Sequence, residues 1–258
     1  MKGSNKSRVK NLALALVAVI PVLYPGVALF GQSSPSAEEI IRRFDDNQIH
    51  ETARIEASMV VHDRFGEKRT TMEIYQEGRE QTLIEYTSRE ERGQKVLRTE
   101  DEIYLYYPDA VELIRLQGAA LRQSMLGSDI SYEDMTGNRT ILDTYEVELL
   151  GEEQINGRRA FRLELTARER NVAYPRQLFW VDAERFVLLK SEMYSLSDRK
   201  LKEITTEAVE EIDGKWIPVE QRICDTLKRN SRTEFRVERI EVGIRLPRGV
   251  FSLEELSW

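Results

Sequence analysis

Asp129, Glu133 and Asp134 stand within one short stretch, Gly127-Ser128-Asp129-Ile130-Ser131-Tyr132-Glu133-Asp134-Met135. Two carboxylates so close could divide the work of general acid and general base. The stretch also reads as a loop entering a short helix. Ser128, Asp129 and Ser131 are N-capping types, and acids suit a first helical turn. No histidine, activated nucleophile or metal-ligand set accompanies the carboxylates, which favours the structural reading. The chain holds one cysteine, Cys224, in a strand-like run, and two histidines, His50 and His62. A lone thiol is either reactive or buried as a small apolar residue, and burial is the commoner fate. The histidines show no partner pattern and read as surface or strand-face residues. No CxxC or HExxH occurs, which excludes a Cys/His zinc site. One cysteine also excludes an internal disulfide.

The elements that must hold these residues belong to a globular chain. Of its 258 residues, 41% are hydrophobic and 32% charged, with 14 Gly and 7 Pro. Collagen-like, mucin-like and disordered classes are thereby excluded. The formal charge is −7 and no long basic run exists beyond the N-terminus. Nucleic-acid binding needs a concentrated basic surface and is not expected.

Lys2, Lys6, Arg8 and Lys10 open the chain without an acid, and Leu12 to Leu23 is apolar apart from Pro21. Gly26-Val27-Ala28 then offers small residues for a cut after Ala28. These are the parts of a secretory signal over residues 1–28. A cut after Gly31 places Leu29 at −3, which is poor. An uncleaved anchor is the competing reading, but Pro21, Pro25 and Gly26 interrupt the apolar run. Removing residues 1–28 takes four of the 38 basic residues and none of the 45 acids, leaving 34 against 45, or −11. Such a surface favours solubility and weakens adhesion to anionic membranes. With no cysteine near the cut, no diacyl anchor is expected.

Residues 32–258 show no linker and no repeat, and read as one domain. Ser36-Ala37-Glu38-Glu39 predicts a capping box. Ala37, Ile40, Ile41 and Phe44 then form one helical stripe, with Arg42, Arg43, Asp45 and Asp46 on the other face. From Arg54 the period becomes two: Ala57, Met59 and Val61 alternate with Ser58, Val60 and His62, and Met72 and Ile74 alternate with Thr71 and Glu73. Later strands are predicted over 83–87, 94–99, 103–107, 145–149, 161–165, 178–181, 186–194, 200–209, 216–224 and 233–244. Asn156-Gly157 and Asp213-Gly214 mark hairpins. In the last strand Phe235 and Val237 share one parity, while Ile240, Val242 and Ile244 share the other. A one-residue bulge near Glu238 and Arg239 reconciles them. The pattern is mainly β, an α+β chain with about eleven antiparallel strands and few short helices. Segment 117–137 breaks the β pattern, and Ala119, Ala120, Leu121, Met125 and Leu126 suit a helix that lids the sheet. A sheet curled into an incomplete barrel, with so little helix to fill it, leaves an apolar cavity.

The run Ser124–Met135 resembles the "GSDfsyeDl" segment of the LolA-like family of outer-membrane lipoprotein-sorting proteins. Tyr174-Pro175 before Leu178–Asp182, Ile212–Pro218, and Val250–Leu256 are similar to the family in order and spacing. The resemblance spans about residues 36–258 and is most specific at Gly127, Ser128, Asp129, Tyr132 and Asp134. It implies a strongly curved antiparallel sheet, an open and incomplete β-barrel with helices as lid or plug. It implies periplasmic carriage of a lipoprotein's acyl chains or of a lipid. The expected partners are an inner-membrane transporter as donor and an outer-membrane acceptor. Carriers of this family fasten the lid with an arginine, which no motif here places.

The expected function is therefore a monomeric, non-enzymatic periplasmic carrier without metal or cofactor. An acyl chain in water costs about 0.8 kcal/mol per CH₂, and an apolar cavity offsets that cost. The residues expected to line the cavity are Met59, Val61, Met72, Ile74, Leu97, Leu121, Met125, Phe161, Leu163, Leu165, Leu178, Trp180 and Leu189. Alternation leaves open which β parity faces it. The alternative is an interaction module that docks on an envelope transporter and binds no lipid.

Overall fold

Ser36 caps the first helix by accepting a hydrogen bond from the Glu39 amide at 3.2 Å. Glu39 does not reach back to complete a capping box. It pairs instead with Arg43, at 2.6 Å, one turn on. The computed structural model describes residues 34–99, 102–135, 140–170 and 172–256, with the side chains of Met135 and Glu255 excepted. The predicted signal, 1–28, lies outside the described residues. Helix α1 (Ala37–Gln48) buries Ala37, Ile40, Ile41 and Phe44, the predicted stripe. Asp45 is buried as well, a correction to its placement on the solvent face, because Arg79 meets it at 3.4 Å.

Six strands follow: β1 (Thr52–Asp63), β2 (Gly66–Glu77), β3 (Gln81–Tyr86), β4 (Lys95–Thr99), β5 (Glu102–Tyr107) and β6 (Glu112–Leu116). Three 3₁₀ turns, Gly118–Arg122, Met125–Gly127 and Tyr132–Met135, then lead to helix α2 (Ile141–Thr144). Seven more strands complete the sheet: β7 (Tyr145–Ile155), β8 (Arg158–Ala167), β9 (Arg176–Asp182), β10 (Leu188–Tyr194), β11 (Lys200–Ile212), β12 (Lys215–Asp225) and β13 (Arg232–Val242). Helix α3 (Leu253–Leu256) ends the described chain. Among the described residues the strands number thirteen, not about eleven. The sequence pattern overlooked β6, an edge strand whose Leu113 is exposed and which therefore lacks clean alternation.

All strand pairs are antiparallel in one sheet, ordered β6-β5-β4-β3-β2-β1-β13-β12-β11-β10-β9-β8-β7. The first and last strands meet in the middle, and the two edges, β6 and β7, are consecutive in sequence. The sheet is therefore open, and the segment that joins its edges is the predicted lid. At the central β1–β13 pair, Glu56 faces Arg239 while Ala57 faces Val237, so Glu238 is the extra residue of a bulge at the predicted position. Asn156 and Gly157 take φ of 50° and 78°, the left-handed pair that a tight hairpin requires.

One face of the sheet carries two cores. Beneath the lid, Ala57, Met59, Val61, Met72, Ile84 and Val96 pack with Met125 and Tyr132. Beneath α1, Phe161, Leu163, Leu165, Phe179 and Val181 pack with Ile40, Ile41 and Phe44. We refer to this as the inner face. On the outer face, Leu83, Leu97 and Tyr106 are covered by Leu256 of α3, while Ala160, Leu178, Trp180 and Leu189 form a fourth cluster.

Beside that fourth cluster, Glu192 of β10 tests the acid limb of stability. Burial opposes its charge, but Lys190 at 2.7 Å and the Tyr194 hydroxyl at 2.5 Å more than compensate. Its carboxyl is held down at about 2. A carboxyl whose folded pKa is depressed stabilises the fold above its unfolded value, about 4.3, and loses that contribution as pH falls toward 2. Glu192→Gln is expected to cost about 2 kcal/mol at neutral pH and nothing near pH 2. Urea melts of the two proteins between those limits check this. Parallel stability curves would contradict it.

Candidate functional site

Between the two inner cores the sheet is less apolar. Register places Gln177, Met193 and Lys202 side by side across β9, β10 and β11. Ile204 pairs with Ile223, and Gln221 faces Phe235. These residues floor a cavity of about 700 Å³. Phe44, Asp45 and Gln48 of α1 wall one side. Ile130, Glu133 and Asp134 of the lid wall another, and Ile141, Thr144 and Tyr145 close the end. The lining is mixed, and this corrects the expectation of a wholly apolar cavity.

None of the thirteen predicted lining residues touches this space. Met59, Val61, Met72, Ile74, Leu121 and Met125 are on the inner face but packed under the lid. Phe161, Leu163 and Leu165 are on the inner face but packed under α1. Leu97, Leu178, Trp180 and Leu189 sit on the outer face. For β9 the reason is register: Leu163 faces Phe179, so Phe179 and Val181 turn inward and Leu178 and Trp180 outward. Two adjacent apolar parities in one strand give a sequence no means of choosing between them.

The motif carboxylates do not converge on a common point. Asp129 is 2% exposed and accepts from Thr233 Oγ1 at 2.8 Å, Ser231 Oγ at 3.0 Å and the Asp225 amide at 3.2 Å. Its own amide donates to Thr233 Oγ1 at 2.8 Å. Asp134 accepts from Tyr174 Oη at 2.6 Å, from the Ser131 amide at 2.7 Å, and from Lys202 Nζ. Glu133 lies 3.6 Å from Arg122. The motif thus works as a double fastening. Asp129 ties the lid to the β12–β13 hairpin, and Asp134 ties it to β11 and the β8–β9 loop. Lys228 Nζ adds bonds to the carbonyls of Gly127 and Ser128. Gly127 takes φ 80° at the turn just before these ties, where a side chain would be strained.

The ring hydroxyls around the cavity stay neutral. Burial, then the charge of Asp134, pushes the Tyr174 phenol well up. Burial pushes Tyr132 up to about 12 and raises Tyr145, whose hydroxyl donates to the Tyr174 carbonyl at 3.1 Å. Burial also raises the Asp45 carboxyl and the Cys224 thiol. Cys224 is half-buried, and a raised thiol is a poor nucleophile. His50 is buried, a correction to its surface placement, and burial lowers its pKa. Among the described residues no group of three or more His, Cys, Asp or Glu side chains could hold a metal ion. The arrangement is built to enclose and to fasten.

Two residues escaped the sequence reading. Lys202 is buried on the inner face, although period-two alternation assigns lysine to solvent. Arg98 of β4 is buried as well and shares the inner parity with Ile103, its cross-strand partner.

Lys202→Met is expected to loosen the lid while the fold persists, since Met fills the space and Asp134 keeps the Tyr174 and Ser131 bonds. Exchange of the Met125, Tyr132 and Asp134 amides should quicken at least about tenfold, with the Leu163 amide unchanged. Exchange that is unaltered across 118–135 would show that this ion pair does not hold the lid.

Comparison with known proteins supplies the context. The sequence matches, over residues 78–258, a protein family described as "Uncharacterized protein". No curated protein matches the chain. Among solved structures, it is similar to a DUF1329 family protein from Desulfovibrio piger at 23% identity and TM-score 0.79, over 85% of this chain and 97% of that one. It is similar to a candidate outer membrane lipoprotein-sorting protein domain from Vibrio parahaemolyticus at 19% identity and TM-score 0.77, over 86% and 98%. It is also similar to a LolA superfamily protein from Nitrosomonas europaea at 24% identity and TM-score 0.71, over 86% and 99%.

Proposed function

The chain belongs to the family matched over residues 78–258 and has the LolA-like fold, and from that premise we propose that it is an exported, non-enzymatic carrier of acyl chains. The observation that carries the reading is the cavity of about 700 Å³, enclosed by a lid that only polar side-chain bonds and packing hold down. The cargo is a lipoprotein's acyl chains or a lipid. Its chain enters the cavity and, when the lid lifts, spreads along Met59, Val61, Met72 and Ile74, with Leu121 and Met125 following the lid. The apolar contact offsets about 0.8 kcal/mol per CH₂. Release needs an acceptor with the higher affinity, since transfer follows differential binding. Residues 1–28 are the export signal, the protein works in the periplasm, and its donor and acceptor are envelope components.

A second reading has one observation in its favour: α1 and the lid already pack against most of the inner apolar surface. A carrier that stayed so filled would be a docking module for a transporter. One preparation separates the two. The protein purified natively from the cell envelope fraction should begin near Leu29 or Gln32, and solvent extraction followed by mass spectrometry should yield stoichiometric lipid. A processed protein that carries no lipid and takes up none from vesicles supports the docking module. An intact Met1 in the membrane fraction contradicts export as a released protein.

A further inference from the structure

Three neighbouring hairpins each end in an exposed large apolar residue. Phe65, between β1 and β2, is 82% exposed; Leu227, between β12 and β13, is 54% exposed; Leu196, between β10 and β11, is 77% exposed. The strand order β2-β1-β13-β12-β11-β10 puts these hairpins side by side, and the pairings His62–Arg232 and Lys202–Asp225 put their tips at the same end of the sheet. Successive tips are therefore about 10 Å apart. The β5–β6 turn reaches that end too, with Val111 at 73% exposure. The turns of the opposite end, 78–80, 156–157, 183–187 and 213–214, carry no large exposed apolar residue among the described residues. Single exposed apolar residues are ordinary, and Leu113, Leu150 and Leu253 are such, but the four most exposed among the described residues all sit at turns of one rim.

Charge at these tips runs against the rest of the chain. Within three residues of Phe65, Leu196 and Leu227 stand Arg64, Lys68, Arg199, Lys228 and Arg229 against Asp63, Glu67, Asp198 and Asp225, a small basic excess in a chain of net −7. The Arg64 guanidinium lies 4.5 Å from the centre of the Phe65 ring. The same rim borders the cavity. A groove of about 510 Å³ bearing Leu196 and Leu227 shares Glu133, Tyr174 and Lys202 with the cavity, so the Asp134 fastening stands between them.

From this geometry we infer that the protein docks by this rim on an anionic lipid bilayer, with Phe65, Leu196 and Leu227 entering the interface and the flanking cations meeting lipid headgroups. Apolar tips beside basic residues match the two layers of a bilayer surface, acyl below and anionic above. The acidic remainder is repelled, so one orientation is selected, and the groove faces the membrane. The partner surface goes beyond the carrier reading, and its test does not use cargo.

The test is vesicle flotation of the naturally processed protein at low salt. Vesicles of phosphatidylcholine are compared with vesicles containing about one third phosphatidylglycerol. Binding is expected on the anionic vesicles only. Phe65→Ser/Leu196→Ser/Leu227→Ser should weaken it at least about thirtyfold. Arg64→Glu/Arg229→Glu should weaken it at least about tenfold. Leu113→Ser, an exposed site on edge strand β6, should leave it unchanged. Thermal melts establish that each variant is folded. The inference is overturned if the parent floats with neither vesicle, which would point to a protein receptor, or if the folded triple variant floats like the parent. Lipid uptake from detergent, measured on the same proteins, reports on the carrier reading separately and should be the same in the triple variant and the parent.

Discussion

A Leu163→Glu protein is expected not to fold. Leu163 is fully buried on the inner face of β8, between Phe161 and Leu165, against Phe179 and beneath α1. Its neighbours in that core are hydrophobic side chains. The new carboxylate must either stay charged without a partner or be protonated at a cost, and either way the loss exceeds about 4 kcal/mol. Were Leu163 the wall of an open cavity, water would reach the carboxylate and the fold would survive. The packing under α1 excludes that outcome, so expression of soluble, cooperatively melting Leu163→Glu would contradict the core described here. Leu163→Ala should be milder, costing about 2–5 kcal/mol through the hole it leaves. Thr166→Glu, at an exposed position of the same strand, is the control and should shift stability by less than about 0.5 kcal/mol. Guanidinium melts on the three proteins give the comparison.

The second large effect is expected at Asp129. Asp129→Ala removes the acceptor of Thr233, Ser231 and the Asp225 amide at once. Thr233 is itself fully buried, so its hydroxyl cannot recover a bond from water. Leaving buried donors unmet costs about 1–3 kcal/mol each, and a total of about 3 kcal/mol is expected, since Ser231 and Asp225 lie nearer solvent. Tm should fall by about 6–12 °C. The loss should register globally and not only in the lid, because Met125 and Tyr132 on either side of Asp129 are part of the core beneath it. Asp129→Asn keeps one acceptor oxygen and should recover part of the loss. An Asp129→Ala protein as stable as the parent would mean that the motif's first acid fastens nothing.

Local pattern determined a good deal. Ile40, Ile41 and Phe44 can share a helical stripe in only one way, and α1 has it. Asn156-Gly157 allows the left-handed pair of a tight hairpin at little cost, and the hairpin is there. The parity change between Val237 and Ile240 can be reconciled only by an extra residue, and Glu238 supplies it. The motif around Asp129 and Asp134, together with the order of the segments, pointed to the LolA-like fold. Each of these rests on residues within a few positions of one another, where periodicity and backbone preference act directly.

What the tertiary structure alone decided was which face, and against what. Alternation in β9 is apolar on both parities, so only the pairing of Leu163 with Phe179 sends Trp180 outward and leaves it far from the cavity. Leu97 is a buried leucine by any pattern, but its cover is Leu256, more than 150 residues later in the chain. Lys202 breaks the rule that charge faces water, because a carboxylate arrives from a distant element. Lys202 meets Asp134 only when the lid crosses from β6 to β7. The cavity follows the same logic. Its lining comes from α1, the lid, α2, the β8–β9 loop and six strands, a stretch of chain from Phe44 to Phe235 that no local periodicity can read. A strand's own residues set its two faces; the strand beside it and the segment laid across it choose between them.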